Sequence, residues 1–242
     1  MNRFSPWFYL PLGAVASTAI GVSIGSPWLF PFLGALVPFP VFLRHVQKGC
    51  PGKATAWVLY WCIAQSVALC AAVALVPDRT AATVWRGPAY ADEMLHYIRT
   101  GVGAEGSPRL FLPMHARHYA MLCGISLLTL GAGGLVLGTV LLNYMNFYVA
   151  TFVHVAAEPT LAALFGWPVW AIVRVVGYTA TGAVMADVSW RAWSRVRGRP
   201  IARPLPVRLW LLGVGLALLD IGLKALAAPA WRTILHRALE RS

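Results

Sequence analysis

The sequence predicts an all-α, polytopic membrane bundle, and its composition, its hydropathy and the length of its apolar stretches support this prediction. Hydrophobic residues make up 59% of the 242 residues and charged residues 12%, whereas soluble domains are roughly 45–50% apolar and about 25% charged. The mean hydropathy is +0.66. A transmembrane helix needs about 20 apolar residues, and stretches of that size fill most of the chain. We therefore expect a single transmembrane domain over residues 1–242.

About seven apolar stretches are predicted to cross the membrane. They cover residues 7–25, 28–43, 55–76, 119–142, 146–165, 168–188 and 208–228. The second stretch is the least regular, because Pro31, Pro38 and Pro40 can kink or end a helix. Asn143 and Asn146 flank the turn expected between the fourth and fifth spans, where they would cap helices or form hydrogen bonds across the bundle.

The long loop over residues 77–118 is predicted to lie outside the cytoplasm and to contain a short helix. Within residues 91–99, Met94, Leu95 and Ile98 recur at a spacing that places them near one helical face. A helix with such a face suits the headgroup region of a bilayer. Two roles are open for it, a spacer that covers the bundle or a lid over an outward-facing cavity.

Basic residues predict the orientation of the chain. The 44–54 loop carries Arg44, Lys48 and Lys53 without an acid, and residues 189–208 carry six arginines without an acid. The positive-inside rule places both segments, together with the N-terminus, on the cytoplasmic side of the cytoplasmic (inner) membrane. Asp187 is expected at the same boundary, beside the arginines. Arg232, Arg237 and Arg241 would then lie outside, so either the tail folds back or the span count is wrong.

The formal net charge of +12 is explained by these loops. We expect the lipid bilayer, and especially anionic headgroups at the basic loops, to be the partner of this charge. Nucleic acid is not predicted as a partner.

An intramembrane ion pair is predicted between the fifth and sixth spans. If these spans form a hairpin at residues 166–168, Glu158 lies eight residues before Gly166 and Arg174 eight residues after it. At a rise of ~1.5 Å per residue both would lie about 12 Å below the turn. Pairing would reduce the large cost of each buried ion.

His154 and Tyr178 extend this pair into a candidate polar cluster. His154 stands i,i+4 from Glu158, and by the same count it faces the level of Tyr178. The cluster either locks the hairpin or serves as a substrate, ion or proton site. Asp220 and Lys224, also i,i+4, would neutralise each other or meet this cluster.

No cofactor or metal is predicted. His115 and His118 are expected at the outer end of the fourth span, about 18 Å from the depth of His154, so they cannot share a haem with it. The sequence has no HExxH motif. The four cysteines form no CxxC pair, and we predict neither a disulfide nor a zinc site.

One segment resembles a known family. The glycine-rich run from Gly131 to Asn143, followed by His154-Val-Ala-Ala-Glu158-Pro159, is similar to a pattern of the SpoIIM-type membrane proteins. That family's signature resembles His-Gly-x-x-Glu. Here the glycine after His154 is absent, and the resemblance implies no activity.

Two classes of function follow from the sequence. The first is a non-enzymatic membrane component, either a small permease or a subunit of a larger membrane complex, with other membrane proteins or further copies of this chain as partners. The alternative is an intramembrane enzyme that uses His154 and Glu158 as an acid–base pair. The Walker A and GxGD signatures are absent, which favours the non-enzymatic class.

Overall fold

A computed structural model describes residues 5–199 and 201–240, and this part of the chain is helical throughout. Helices account for 84% of the structure, and the described residues contain no strand. The helices are α1 (Pro6–Ile24), α2 (Leu29–Leu36), α3 (Phe39–Gln47), α4 (Pro51–Leu75), α5 (Pro77–Thr83), α6 (Gly87–Thr100), α7 (Pro108–Leu128), α8 (Ala132–Val155), α9 (Pro159–Phe165), α10 (Val169–Val196) and α11 (Val207–Leu239). A single 3₁₀ turn, η1, covers Ala104–Gly106. The predicted all-α class is confirmed.

Several of these helices can cross a membrane. By length and composition the candidates in the described residues are α1, α4, α8, the α9–α10 unit and α11. The pair α2 and α3 is a sixth candidate that is bent by 49° at the break between them, where the predicted irregular span lies. The helix α7 has 21 residues but contains Arg109, Arg117 and two histidines. Five to six apolar helices therefore indicate a membrane protein.

The structure corrects the boundary between the predicted fourth and fifth spans. The helix α7 ends at Leu128, and the chain turns through Leu130 and Gly131, whose φ angles are 55° and 88°. The predicted turn at 143–145 lies inside α8. Because the apolar run continues without a break from 119 to 155, hydropathy could not locate the turn.

The amides that suggested the wrong turn are buried and bonded across the bundle. Gln65 Nε2 of α4 donates to Asn143 Oδ1 at 3.3 Å and to Thr18 Oγ1 of α1 at 3.2 Å. Asn146 Nδ2 donates to Ser66 Oγ at 2.9 Å. These bonds join α1, α4 and α8, as one of the two sequence interpretations proposed.

The long helices α10 and α11 are antiparallel and touch at two glycines. A Cβ added to Gly177 would lie 3.0 Å from the carbonyl oxygen of Gly213, and one added to Gly213 would lie 3.1 Å from the carbonyl oxygen of Gly177. Backbones that approach this closely allow side chains on the neighbouring turns of the two helices to meet. Arg174 and Asp220 lie beyond this crossing, towards the N-terminus of α10.

Apolar side chains form two cores along the bundle. The first surrounds Tyr148 and Phe152 of α8 and extends to Ala171 of α10. The second surrounds Phe42 and Trp61 and includes Ala183 and Ala186 of α10. Along α10, the polar residues from Arg174 to Thr181 lie between the two cores.

The 77–118 region contains the predicted short helix. It is α6, in which Met94, Leu95 and Ile98 are buried as the sequence pattern predicted. The helix packs on α8 and is held by Arg232 of α11, whose guanidinium donates to the carbonyl oxygens of Tyr97, Ile98 and Arg99 at 2.9–3.1 Å. The helix α11 continues through Pro229 to Leu239, so Arg232 caps α6 from within this helix. Arg241 lies outside the described residues.

Candidate functional site

A buried ion pair joins α10 to α11. Arg174 Nε lies 2.8 Å from Asp220 Oδ2, and Arg174 Nη2 lies 3.0 Å from Asp220 Oδ1. This two-point geometry is the strongest and most specific that an arginine makes with a carboxylate. The Asp220 side chain is 1% exposed, whereas that of Arg174 is 17% exposed, so only the cation reaches beyond the pair.

His115 of α7 is the third member of this group. Its Nδ1 lies 3.3 Å from Asp220 Oδ2 and has no hydrogen-bond partner in the described residues. The backbone carbonyl of His115 accepts a hydrogen bond from the hydroxyl of Tyr178 at 3.3 Å. Asp220 therefore contacts a cation on one helix and a titratable ring on another.

A second buried ion pair lies one turn further along α11. Lys224 donates to Glu105 of η1, and both side chains are almost fully buried. The ammonium nitrogen also lies 4.6 Å from the centre of the Phe111 ring. With His115 neutral, the two cations and two carboxylates of this group carry no net charge, and each ion has a partner, as burial requires. We call Arg174, Asp220, His115, Lys224 and Glu105 the ion network.

The structure brings together only part of the predicted cluster. Arg174 and Tyr178 share the ion network, but His154 and Glu158 are exposed near the end of α8 and the start of α9. The predicted Glu158–Arg174 pair is thus replaced by Arg174–Asp220. The depth argument assumed one straight helix to residue 165, whereas α8 ends at Val155 and a new helix begins at Pro159.

The secondary charges prove to be the central ones. Asp220 and Lys224 do not neutralise each other locally, because each has a closer partner on another element. Asp220 meets Arg174, which was the second sequence interpretation. Glu105 was not predicted as part of the cluster. A signal for it was present, because a lysine inside a span needs an acid as its partner. Glu105 stands between Gly103 and Gly106 in the loop.

A cavity of about 420 Å³ adjoins the ion network. Its walls come from α4, α7, α8 and α10 and are mostly apolar. Its lining residues include Arg174, Tyr144 and Tyr178. Ile63 of α4 and Ile172 of α10 also line it and are exposed on the outside of the bundle. The cavity therefore opens sideways, between α4 and α10.

A separate ion cluster lies at the other end of α10. Asp187 is fully buried and accepts from Arg191 Nε at 2.6 Å and from Arg203. Arg203 also donates to the carbonyl oxygen of Val46 at the end of α3, at 3.0 Å. These bonds place the arginine-rich segment against the 44–54 loop, and they account for Arg203 structurally.

Metal coordination has no support in the described part of the chain, where no three His, Cys, Asp or Glu side chains gather at a common point. Comparisons with protein-family models, curated proteins and solved structures found no match. The resemblance of residues 131–159 to SpoIIM-type proteins gains no support from them, and the contacts themselves carry the functional argument.

Proposed function

We propose that this protein is a small permease of the cytoplasmic membrane, with the ion network and the adjoining cavity as its working site. The observation that carries the proposal is the position of Arg174. This residue is held by the buried carboxylate of Asp220 and at the same time lines the cavity.

The cost of the ion network supports a working role. A charged group inside a membrane costs at least ~2.5–3.5 kcal/mol by insertion scales, and such groups mark ion and substrate pathways. Here two ion pairs and a histidine lie together on α7, α10, α11 and η1. If they served only to lock the helices, nothing would require one of them to face an open cavity.

Seven crossings fit the proposal, with the pair α2–α3 and the helix α7 completing the set. The helix α7 begins beside η1, packs on α8 and α10, and ends at the turn where a Cβ on Gly131 would meet Phe42. The α2–α3 pair runs from Trp28, which packs on Trp85, to Val46, which meets Arg203. The shared end of the two basic segments favours a cytoplasmic N-terminus and contacts with anionic headgroups.

A subunit of a larger membrane complex is the second candidate. A groove of about 690 Å³ runs between α1 and α4 on the outside of the bundle. Small residues such as Ala19, Ala64, Ala68 and Ala71 line it, and small residues allow a helix of another membrane protein, or of a second copy, to approach closely.

The enzyme alternative gains no support from the geometry. His154 and Glu158 are both exposed, neither lines the cavity, and neither belongs to the ion network. A buried acid–base pair beside a reaction cavity would be needed for the chemistry that the sequence suggested.

Cysteine accessibility distinguishes a permease from a closed structural subunit. In a variant that lacks the four native cysteines, Gly138→Cys places a thiol in the cavity and Gly215→Cys places one on the outer face of α11, both in open space. A permease must also open its cavity to water on one side in order to release what it carries. A membrane-impermeant thiol reagent should therefore label position 138 from one side of sealed vesicles and leave position 215 unlabelled. A cavity thiol that resists labelling from both sides would contradict the permease and favour the subunit.

A further inference from the structure

We infer that the cavity binds a single-chain, membrane-dissolved carboxylic acid of the fatty-acid type. Its apolar chain would lie along the cavity and its carboxylate would bind the guanidinium of Arg174. The inference rests on the proposed function and names the class of ligand for the same site.

The shape of the cavity suits one extended chain. Its walls include residues 131–145 of α8 and 171–182 of α10, which span about 21 Å and about 16 Å at a rise of ~1.5 Å per residue. The volume of about 420 Å³ lies within the range of ligand sites, which are typically ~300–1,000 Å³. A mostly apolar space lined along two helices favours an extended apolar chain over a compact polar solute.

The opening of the cavity faces the bilayer. It lies between α4 and α10, where Ile63 and Ile172 are 66% and 54% exposed. In a membrane this face contacts lipid chains, so a molecule already dissolved in the bilayer enters without crossing water. Ligands from the aqueous phase would meet apolar side chains first.

The carboxylate of the ligand would be selected by the N–H groups of Arg174 that do not bind Asp220. The pair with Asp220 uses Nε and Nη2, and no acceptor among the described residues takes the N–H groups of Nη1. Arg174 lines the cavity, and a guanidinium binds a carboxylate with charge-assisted hydrogen bonds. Tyr144 also lines the cavity.

Charge balance requires a proton to accompany the carboxylate. The ion network is neutral without a ligand, so one more anion would leave a buried negative charge uncompensated. An acid that enters in its neutral form avoids this cost. On binding, its O–H bond breaks, the carboxylate pairs with Arg174, and an N–H bond forms at His115 Nδ1.

Asp220 provides the route for this proton. Its Oδ2 is close to both Arg174 Nε and His115 Nδ1. The groups that face His115 are Arg174 and Tyr178 of α10, Asp220 and Lys224 of α11, and Phe111 of its own helix. Once protonated, the imidazole donates a hydrogen bond from Nδ1 to Asp220, so this nitrogen gains the partner that it lacked. The total charge of the site stays zero.

Binding of hexadecanoic acid and of hexadecan-1-ol to the purified full-length protein in nanodiscs tests the inference. The acid should bind at least about tenfold more tightly than the alcohol, because only the acid forms charge-assisted hydrogen bonds with Arg174. Gly138→Phe should weaken both ligands by about tenfold or more, since its ring fills the cavity. Its matched control, Gly215→Phe, should change neither affinity.

Charge variants test the head of the site separately. The double variant Arg174→Gln/Asp220→Asn leaves no unpaired ion and should bind acid and alcohol equally. His115→Gln should weaken the acid by about tenfold and leave the alcohol unchanged. Equal binding of the two ligands to the wild type, or acid binding that survives Gly138→Phe, would overturn the inference. Labelling of the cavity thiol does not require a ligand. If the cavity thiol is labelled but the acid does not bind, the fatty-acid ligand is refuted while the proposed permease is not contradicted.

Discussion

At the scale of single residues, Asp220 determines how the buried charges are arranged. It is held between Arg174 and His115 and is almost fully buried. The exposed Glu158, which the sequence suggested as the partner of Arg174, has no comparable role. Two carboxylates that look alike in sequence therefore differ in what their removal costs.

Removing one member of the Arg174–Asp220 pair should destabilise the fold strongly. Arg174→Gln strands the carboxylate and should lower the free energy of unfolding by about 3–5 kcal/mol. The double variant Arg174→Gln/Asp220→Asn should recover much of this loss. Unfolding in mixed micelles, arranged as a double-mutant cycle, measures the coupling. Glu158→Gln is the matched control and should change stability by less than about 0.5 kcal/mol; additive losses for the pair would contradict the contact.

At the scale of elements, the 77–118 region is fixed to the bundle by α11. Lys224 binds Glu105 of η1, and Arg232 binds the last carbonyls of α6. A cation at a helix C-terminus also interacts favourably with the helix dipole. The region is thus attached at two points one loop apart.

Loss of the cap on α6 should loosen this region without unfolding the bundle. Arg232→Gln removes the bonds to the three carbonyls, so amide hydrogen exchange should accelerate over residues 97–106. Exchange in α4 and α8 should stay the same. Arg237→Gln, on the exposed side of the same helix, should leave the whole pattern unchanged. Equal protection in the two variants would show that Arg232 does not hold α6.

The turn between α7 and α8 depends on Gly131. Its φ of 88° is in the left-handed region, and an added Cβ would lie 2.5 Å from Phe42. Gly131→Ala should therefore cost at least about 1–2 kcal/mol of stability. Gly138→Ala, in the same helix but facing open space, should be neutral or stabilising because alanine favours helix more than glycine. Thermal unfolding of the two variants compares them, and equal midpoints would place the turn elsewhere.

At the scale of the whole molecule, the proposed seven crossings put the two ends of the chain on opposite sides. The bonds from Arg203 to Asp187 and Val46 hold the two basic segments at one end. The contact between Trp28 and Trp85, whose ring centroids are 3.8 Å apart, holds the start of α2 at the other.

Topology mapping should follow this arrangement. In a background without native cysteines, Lys48→Cys and Gly198→Cys should be labelled from the cytoplasmic side, and Asp92→Cys and Glu240→Cys from the opposite side. Positions 48 and 240 on the same side would mean an even number of crossings between them, and α7 would then be re-entrant.

The all-helical membrane class and some of the buried charges were predictable from sequence, because hydropathy and charge are local properties. Apolar length alone indicated the membrane helices. The cost of ions in hydrocarbon marked Arg174, Asp220 and Lys224 before any contact was known, but it also marked His154 and Glu158, which are exposed. The buried face of α6 followed from helical spacing. The amides Asn143 and Asn146 were recognised as polar groups that need partners.

Tertiary structure alone decided which of these groups meet. Because α10 and α11 cross closely at Gly177 and Gly213, Arg174 meets Asp220. The turn η1 brings Glu105, which is distant in sequence, into contact with Lys224. The turn at Gly131 was hidden because hydropathy is equally high on both sides of it. Partners and turns depend on how helices pack against one another, and packing is set by contacts between residues distant in sequence, which a single sequence read along its length does not contain.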